Sequence, residues 1–177
     1  MVIGGEVYPI RTDFRAGIEY HREVKSDNAT LASLFRIWFP EATPEDSSEA
    51  LEAIHRFYRR SDAPPENTSK GPTAFDFDKD ADAICAAFMR EYGIDLTTVE
   101  MHWWRFMALM DGLYSYSFAD RVGFRTADLT GLDSKQRAKL LKKRNHFSLD
   151  EYESTADHLA RLDSIIARSG GGNDGGR

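Results

Sequence analysis

The stretch "LTTVEMHWWRFMALMDGL", residues 96–113, limits most strongly what this chain can fold into. At 100° per residue, Val99, Trp103, Phe106 and Met110 make one continuous apolar face. Met101, Trp104 and Ala108 lie on the other side, so a helix here is apolar nearly all round. Such a helix is either central in a core or has one side covered by a partner. Burial within the domain is the more frequent outcome. With a partner, Met101, Trp104 and Ala108 are the contact residues, and Trp104 is the expected anchor because tryptophan is enriched among interface hot spots. Thr97 and Glu100 stand in the S/T-x-x-E spacing of a capping box, which predicts the helix start.

The rest of the chain supplies elements to surround it. "MVIGGEVYPI" places β-branched and aromatic residues on either side of Gly4-Gly5, predicting a short hairpin over residues 1–10 that must lie on a helical body. From Thr12 the period becomes helical, with Phe14, Ile18, His21 and Val24 on one face and Thr12 or Asp13 as cap. A second helix is expected from an Asn28 cap to Pro40. A third starts at a Thr43 cap with Pro44 in its first turn and Asp46 three residues after the cap, and carries Leu51, Ile54, Phe57 and Tyr58 as its stripe. Pro, Gly and small polar residues predict a flexible loop over 61–73. Helices are then expected over 78–92, ended by Gly93, over 115–123, and in two segments after residue 131. The fold class is mainly α: a single-domain helical bundle of about six or seven helices over residues 1–168, with the N-terminal β-hairpin and a disordered Gly-rich tail over 169–177.

Composition removes several functions. The chain has 177 residues, enough for one domain with a real core, and its net charge of -6 argues against a dedicated nucleic-acid binder. No apolar run reaches the roughly 18 residues of a membrane helix, and the N-terminus lacks the pattern of a signal peptide. Cys85 is the only cysteine, which excludes an intrachain disulfide and a cysteine zinc cluster; within an apolar helix it reads as a small buried hydrophobe. His21, His55, His102, His146 and His158 form no His-x-x-x-His pair. There is no phosphate loop and no nucleophile elbow, so no residue is assigned as catalytic, cofactor-binding or metal-binding.

Two charged stretches need separate readings. In "FDFDKDADAICAAF" the carboxylates Asp76, Asp78, Asp80 and Asp82 alternate as in a calcium loop. A loop starting at Asp76 needs Gly at its sixth position and Glu at its twelfth, where this chain has Ala81 and Ala87. The ladder instead reads as a helix start, with Asp76 or Asp78 as cap and the others in the first turns. "KQRAKLLKKR", residues 135–144, is the one concentrated basic run. Contact with nucleic-acid phosphates is one reading. A solvated helix face with Leu140 and Leu141 turned inward is the other, and the more frequent outcome.

"FDFDKDADAICAAFMREYGIDLTTVEMHWWRFMALMDGL", followed by "VGFRTADL" and preceded by "TDFR", "FPE" and "RFYRR", resembles a family of small tailed-phage and prophage tail-morphogenesis proteins. The resemblance touches most of residues 1–130 and fades beyond about 145. It implies a gene between those of the major tail protein and the tape measure protein, and the role of a tail assembly chaperone without catalytic residues or cofactor. The implied partner is the tape measure protein, with the major tail protein and a second copy of the chain as further partners, and neither nucleic acid nor membrane. The implied location is the host cytoplasm, with the protein absent from the mature virion. The alternative is a structural virion protein, a head–tail or tail-completion component.

Overall fold

The computed structural model describes residues 1–60, 74–114, 116–149 and 155–170. The loop expected over 61–73 and residues 171–177 of the expected tail lie outside them. Eight helices and one hairpin are described, so the mainly helical bundle with an N-terminal hairpin stands, with one or two more helices than expected. The chain forms two compact units.

The first unit takes in residues 1–60, 100–106 and 155–170 of those described. Its hairpin pairs β1 (Val2–Ile3) with β2 (Glu6–Val7), antiparallel, through a turn in which Gly4 and Gly5 both adopt positive φ. That two-residue turn matches the twist of the flanking strands, and glycine reaches it without a Cβ penalty. Helix α1 (Phe14–Lys25) starts at Asp13, whose carboxylate accepts from the Arg15 N–H. Its buried face is Phe14, Ala16, Gly17, Tyr20 and Val24, rotated from the expected stripe so that Ile18 and His21 are only half-buried.

Helix α2 (Leu31–Trp38) is capped by Thr30 in a capping box with Ser33, two residues after the expected Asn28. Helix α3 (Ser47–Arg59) starts at Asp46, whose carboxylate accepts from the N–H groups of Ser48 and Glu49; the expected cap, Thr43, lies three residues outside. In both cases a side chain with orphan N–H groups in reach, one for Thr30 and two for Asp46, won over one that merely precedes the apolar pattern. The final helix of the chain (Thr155–Gly170) runs two residues into the expected tail and buries Leu162 and Ile165 against α1 and α2. Trp38, Tyr20, Leu34, Ile54 and Ile165 are at the centre of this core.

The second unit takes in residues 74–99, 107–114 and 116–149 of those described. Helix α4 (Ala81–Tyr92) ends at Gly93 in the left-handed conformation, as expected. The capping box predicted at Thr97 and Glu100 does not form. Asp95 instead accepts from the Thr97 N–H and hydroxyl and closes a turn, and α5 (Trp103–Asp111) begins only at Trp103. Val99 and Met101 are therefore not on a helix. Helix α6 (Tyr116–Thr126) packs on α4 and on α7 (Ser134–Phe147). Helix α7 buries none of its residues: Leu140 is half-buried and Leu141 exposed, so the expected inward turn of both leucines is not found. The helix rests on a Phe124–Phe147 stack at 5.7 Å and on Lys143, whose ammonium lies 4.2 Å from the Phe124 ring. With the terminal helix, these are α1 to α8 in chain order.

Candidate functional site: a tryptophan groove and a buried ion pair

The segment before α5 is pinned to the start of α1. The Phe14 N–H donates to the Met101 carbonyl at 2.8 Å and the Trp103 N–H to the Thr12 carbonyl at 2.7 Å, while Asp13 also accepts from the Met101 N–H. His102 then serves the new helix, its Nδ1 accepting from the Trp104 N–H. These bonds set the direction in which the two adjacent tryptophans leave the backbone.

Both indoles reach the last turn of α3. Trp103 Nε1 donates to the Tyr58 carbonyl and Trp104 Nε1 to the Phe57 carbonyl, each at 2.7 Å. Carbonyls in the last turn of a helix lack a regular partner within it, and here consecutive tryptophans donate to two of them, the Phe57 carbonyl also accepting from the Arg60 N–H at 3.2 Å. Trp103 is buried, stacked on Tyr58 at 5.2 Å and seated over Gly17, where a Cβ would come within 2.2 Å of the ring. Trp104 remains 46% exposed, tilted against Phe57 and edge-on to His102. With its one polar atom satisfied, Trp104 presents apolar ring to solvent in a fixed orientation.

Trp104, Phe57, Ala53, Val2, Arg56 and Arg60, with Met1, line a groove of about 290 Å³. The other two expected contact residues are not among those lining this groove. Met101 is buried and lines a second cleft, of about 530 Å³, with Asp13 and His102; Ala108 is exposed and belongs to the second unit. In that cleft Asp13 and His102 are occupied in joining α1 to α5.

The aspartate ladder holds the feature that sequence reasoning missed. Asp76 does cap, but it caps the turn before α4, accepting from the N–H groups of Asp78 and Lys79. Asp80 occupies the N-cap position of α4 and makes no cap bond. It is fully buried, 0% exposed, and accepts from Arg125 through both oxygens, from Arg121 at 3.3 Å and from the Asp76 N–H at 3.0 Å. Arg125, 5% exposed, also donates to the Ala74 and Phe147 carbonyls. Burial alone pushes the Asp80 carboxyl up, but the hydrogen bonds from Arg125, Asp76 and Arg121 outweigh it and hold the group below the usual carboxylate range. A signal was present: Asp80, Ile84 and Ala87 fall on one helical face, and a carboxylate on an apolar stripe requires a cation.

A model of the bacteriophage Gp15 protein family matches residues 1–149. The chain belongs to that family. The Gp15 family is associated with phage tail-morphogenesis genes, and the match contains both the tryptophan groove and the Asp80 cluster. It ends close to residue 145, beyond which the resemblance of the motifs fades. No curated protein matches the chain. No solved structure matches it.

Among the described residues of this Gp15-family chain, no group of three or more His, Cys, Asp or Glu side chains is placed to hold a metal ion, and no helix is long and apolar enough to cross a membrane. Cys85 is half-buried rather than buried, and burial, with the carboxylates of Asp82 and Asp95, raises its thiol above the ordinary range. That opposes the thiolate a nucleophile requires.

Proposed function

We propose that this chain is a tail assembly chaperone that binds the tape measure protein, keeps it soluble and assists tail tube polymerisation along it without catalysing a reaction. The observation that carries this reading is Trp104: a large apolar side chain, nearly half exposed, held rigid by a hydrogen bond to α3 and set in a groove. Family membership supplies the context of tail morphogenesis. Long apolar helical faces aggregate unless covered, and a helical protein covers them by accepting their anchor residues in such grooves. A net charge of -6 keeps the complex dispersed. The protein acts in the host cytoplasm, with the major tail protein and a second copy of itself as further contacts, and does not persist in the particle.

Co-expression with the tape measure protein of the same phage tests the reading. The tape measure protein is expected to move from the insoluble to the soluble fraction and to co-purify, and mass spectrometry of purified virions is expected to find no copy of this chain. A stoichiometric signal in virions would replace the chaperone with a structural tail component.

A further inference from the structure

The groove also carries information about what enters it. Its volume, about 290 Å³, is at the lower bound for small-molecule sites and suits one or two large side chains. Its walls are apolar at Val2, Ala53, Phe57 and the Trp104 ring. Among the described residues its charged side chains are both cationic, Arg56 on α3 and Arg60 at the C-cap of that helix, and no carboxylate lines it. On a chain of net charge -6 this is a local reversal of sign. Arg56 is exposed and makes no ion pair or side-chain hydrogen bond among the described residues.

We propose that the groove takes an apolar side chain from a segment of the tape measure protein in which a carboxylate flanks that residue, the ring of Trp104 packing on the apolar group and Arg56 pairing with the carboxylate. This rests on the chaperone reading and adds the chemistry of the recognised segment. Three features support it together. Tryptophan and arginine are the residues most enriched at energetic centres of interfaces. Trp104 is fixed before binding, so little side-chain freedom is lost on contact. The Arg56 guanidinium favours an acidic segment and disfavours a basic one, which gives selection as well as affinity.

The test uses the full chain, co-expressed with the tape measure protein, and overlapping peptides of that protein for affinity. Arg56→Glu is the main variant, because an exposed side chain without partners is replaced and the fold is kept, as circular dichroism would verify. Trp104→Ala is the second. Peptides bound by the unaltered chain should carry an apolar residue flanked by Asp or Glu. Arg56→Glu should weaken them roughly tenfold or more, and Glu→Lys in the peptide should recover binding to that variant. If the unaltered chain binds and both variants bind within about twofold of it, the groove is not the site, while the chaperone reading survives. Binding of basic or uncharged peptides overturns the proposed chemistry. If Arg56→Glu instead dissolves a dimer of this chain in sedimentation, the occupant is a second copy and the proposal fails. If the unaltered chain binds no part of the tape measure protein, the chaperone reading and this inference fall together.

Discussion

The two units solve the problem of a buried polar group in opposite ways. In the first, two adjacent aromatic side chains have their polar atoms met by backbone: Trp103 and Trp104 each donate to a carbonyl in the last turn of α3. In the second, a charge is buried. Asp80 is enclosed completely and is kept by two arginines and an N–H group. A carbonyl partner is neutral and its loss costs about 1 kcal/mol, whereas a buried carboxylate that loses its cation costs several. The first unit should therefore fail through shape and the second through charge. All three tryptophans, Trp38, Trp103 and Trp104, belong to the first unit, so tryptophan fluorescence follows that unit alone.

The largest effect is expected at Arg125. Arg125→Ala leaves Asp80 buried without its bidentate partner and should destabilise the second unit by about 3–5 kcal/mol. Urea unfolding followed by far-ultraviolet circular dichroism measures the loss. Replacing Asp80 and Arg125 together by apolar residues of similar volume should restore most of it. A loss below about 1 kcal/mol in Arg125→Ala would mean that the second unit does not depend on its ion pair. Next comes Gly17→Ala in the first unit. Helix propensity alone favours alanine by about 1 kcal/mol. Yet the added Cβ would meet the Trp103 ring, which cannot retreat because it is stacked on Tyr58 and bonded to the carbonyl of the same residue. A net destabilisation of about 2 kcal/mol is expected from overpacking, read by tryptophan fluorescence. Stabilisation would show that shape does not limit this core.

Acid should separate the units as well. Burial, with the positive charge of Arg59, lowers His55 in the first unit from its ordinary 6.5 to about 4. The unfolded chain takes up this proton first, so the contribution of neutral His55 is complete above about pH 6.5 and is lost as pH falls toward 4. Asp80 is held below its ordinary 3.8, so its contribution is complete above that value and is lost only as pH falls further, through the folded-state pKa. Stability measured by fluorescence should decline between pH 6.5 and 4, and His55→Gln should flatten that decline. An unchanged slope in His55→Gln would assign the decline to another group.

Helix identity was legible because apolar spacing records it: Leu51 and Ile54 on α3, and Ala83, Ile84 and Phe88 on α4, are buried where the period places them. Helix starts were less legible, since Thr30 and Asp46 displaced Asn28 and Thr43 through bonds that depend on local geometry. The start of α5 was misread for a different reason. Asp95 closes its own turn and residues 100–102 pair with the start of α1, a contact across nearly ninety residues that no local pattern contains. Trp104 was expected as the anchor only if a partner covers the helix, and its groove was not legible, because Val2, Arg56 and Arg60 come from elements distant in sequence. Asp80 was grouped with its neighbours by spacing two, when spacing four would have placed it on the buried face.

The smallest effect is expected at an N-cap aspartate. Asp46 and Asp80 stand at the N-cap positions of α3 and α4, and sequence reasoning treats two such aspartates alike. Asp46 accepts from the Ser48 and Glu49 N–H groups, a task that asparagine performs about as well. Asp46→Asn should therefore change stability by only a few tenths of a kcal/mol, while Asp46→Ala should cost about 1 kcal/mol and Thr43→Ala nothing measurable. At position 80 the same exchange removes the charge that Arg125 and Arg121 surround, so Asp80→Asn should cost several times more than Asp46→Ala. Parallel denaturation of the two asparagine variants makes the measurement. Equal losses would mean that Asp80 acts as an ordinary helix cap, and the contrast between a unit built on shape and a unit built on charge would disappear.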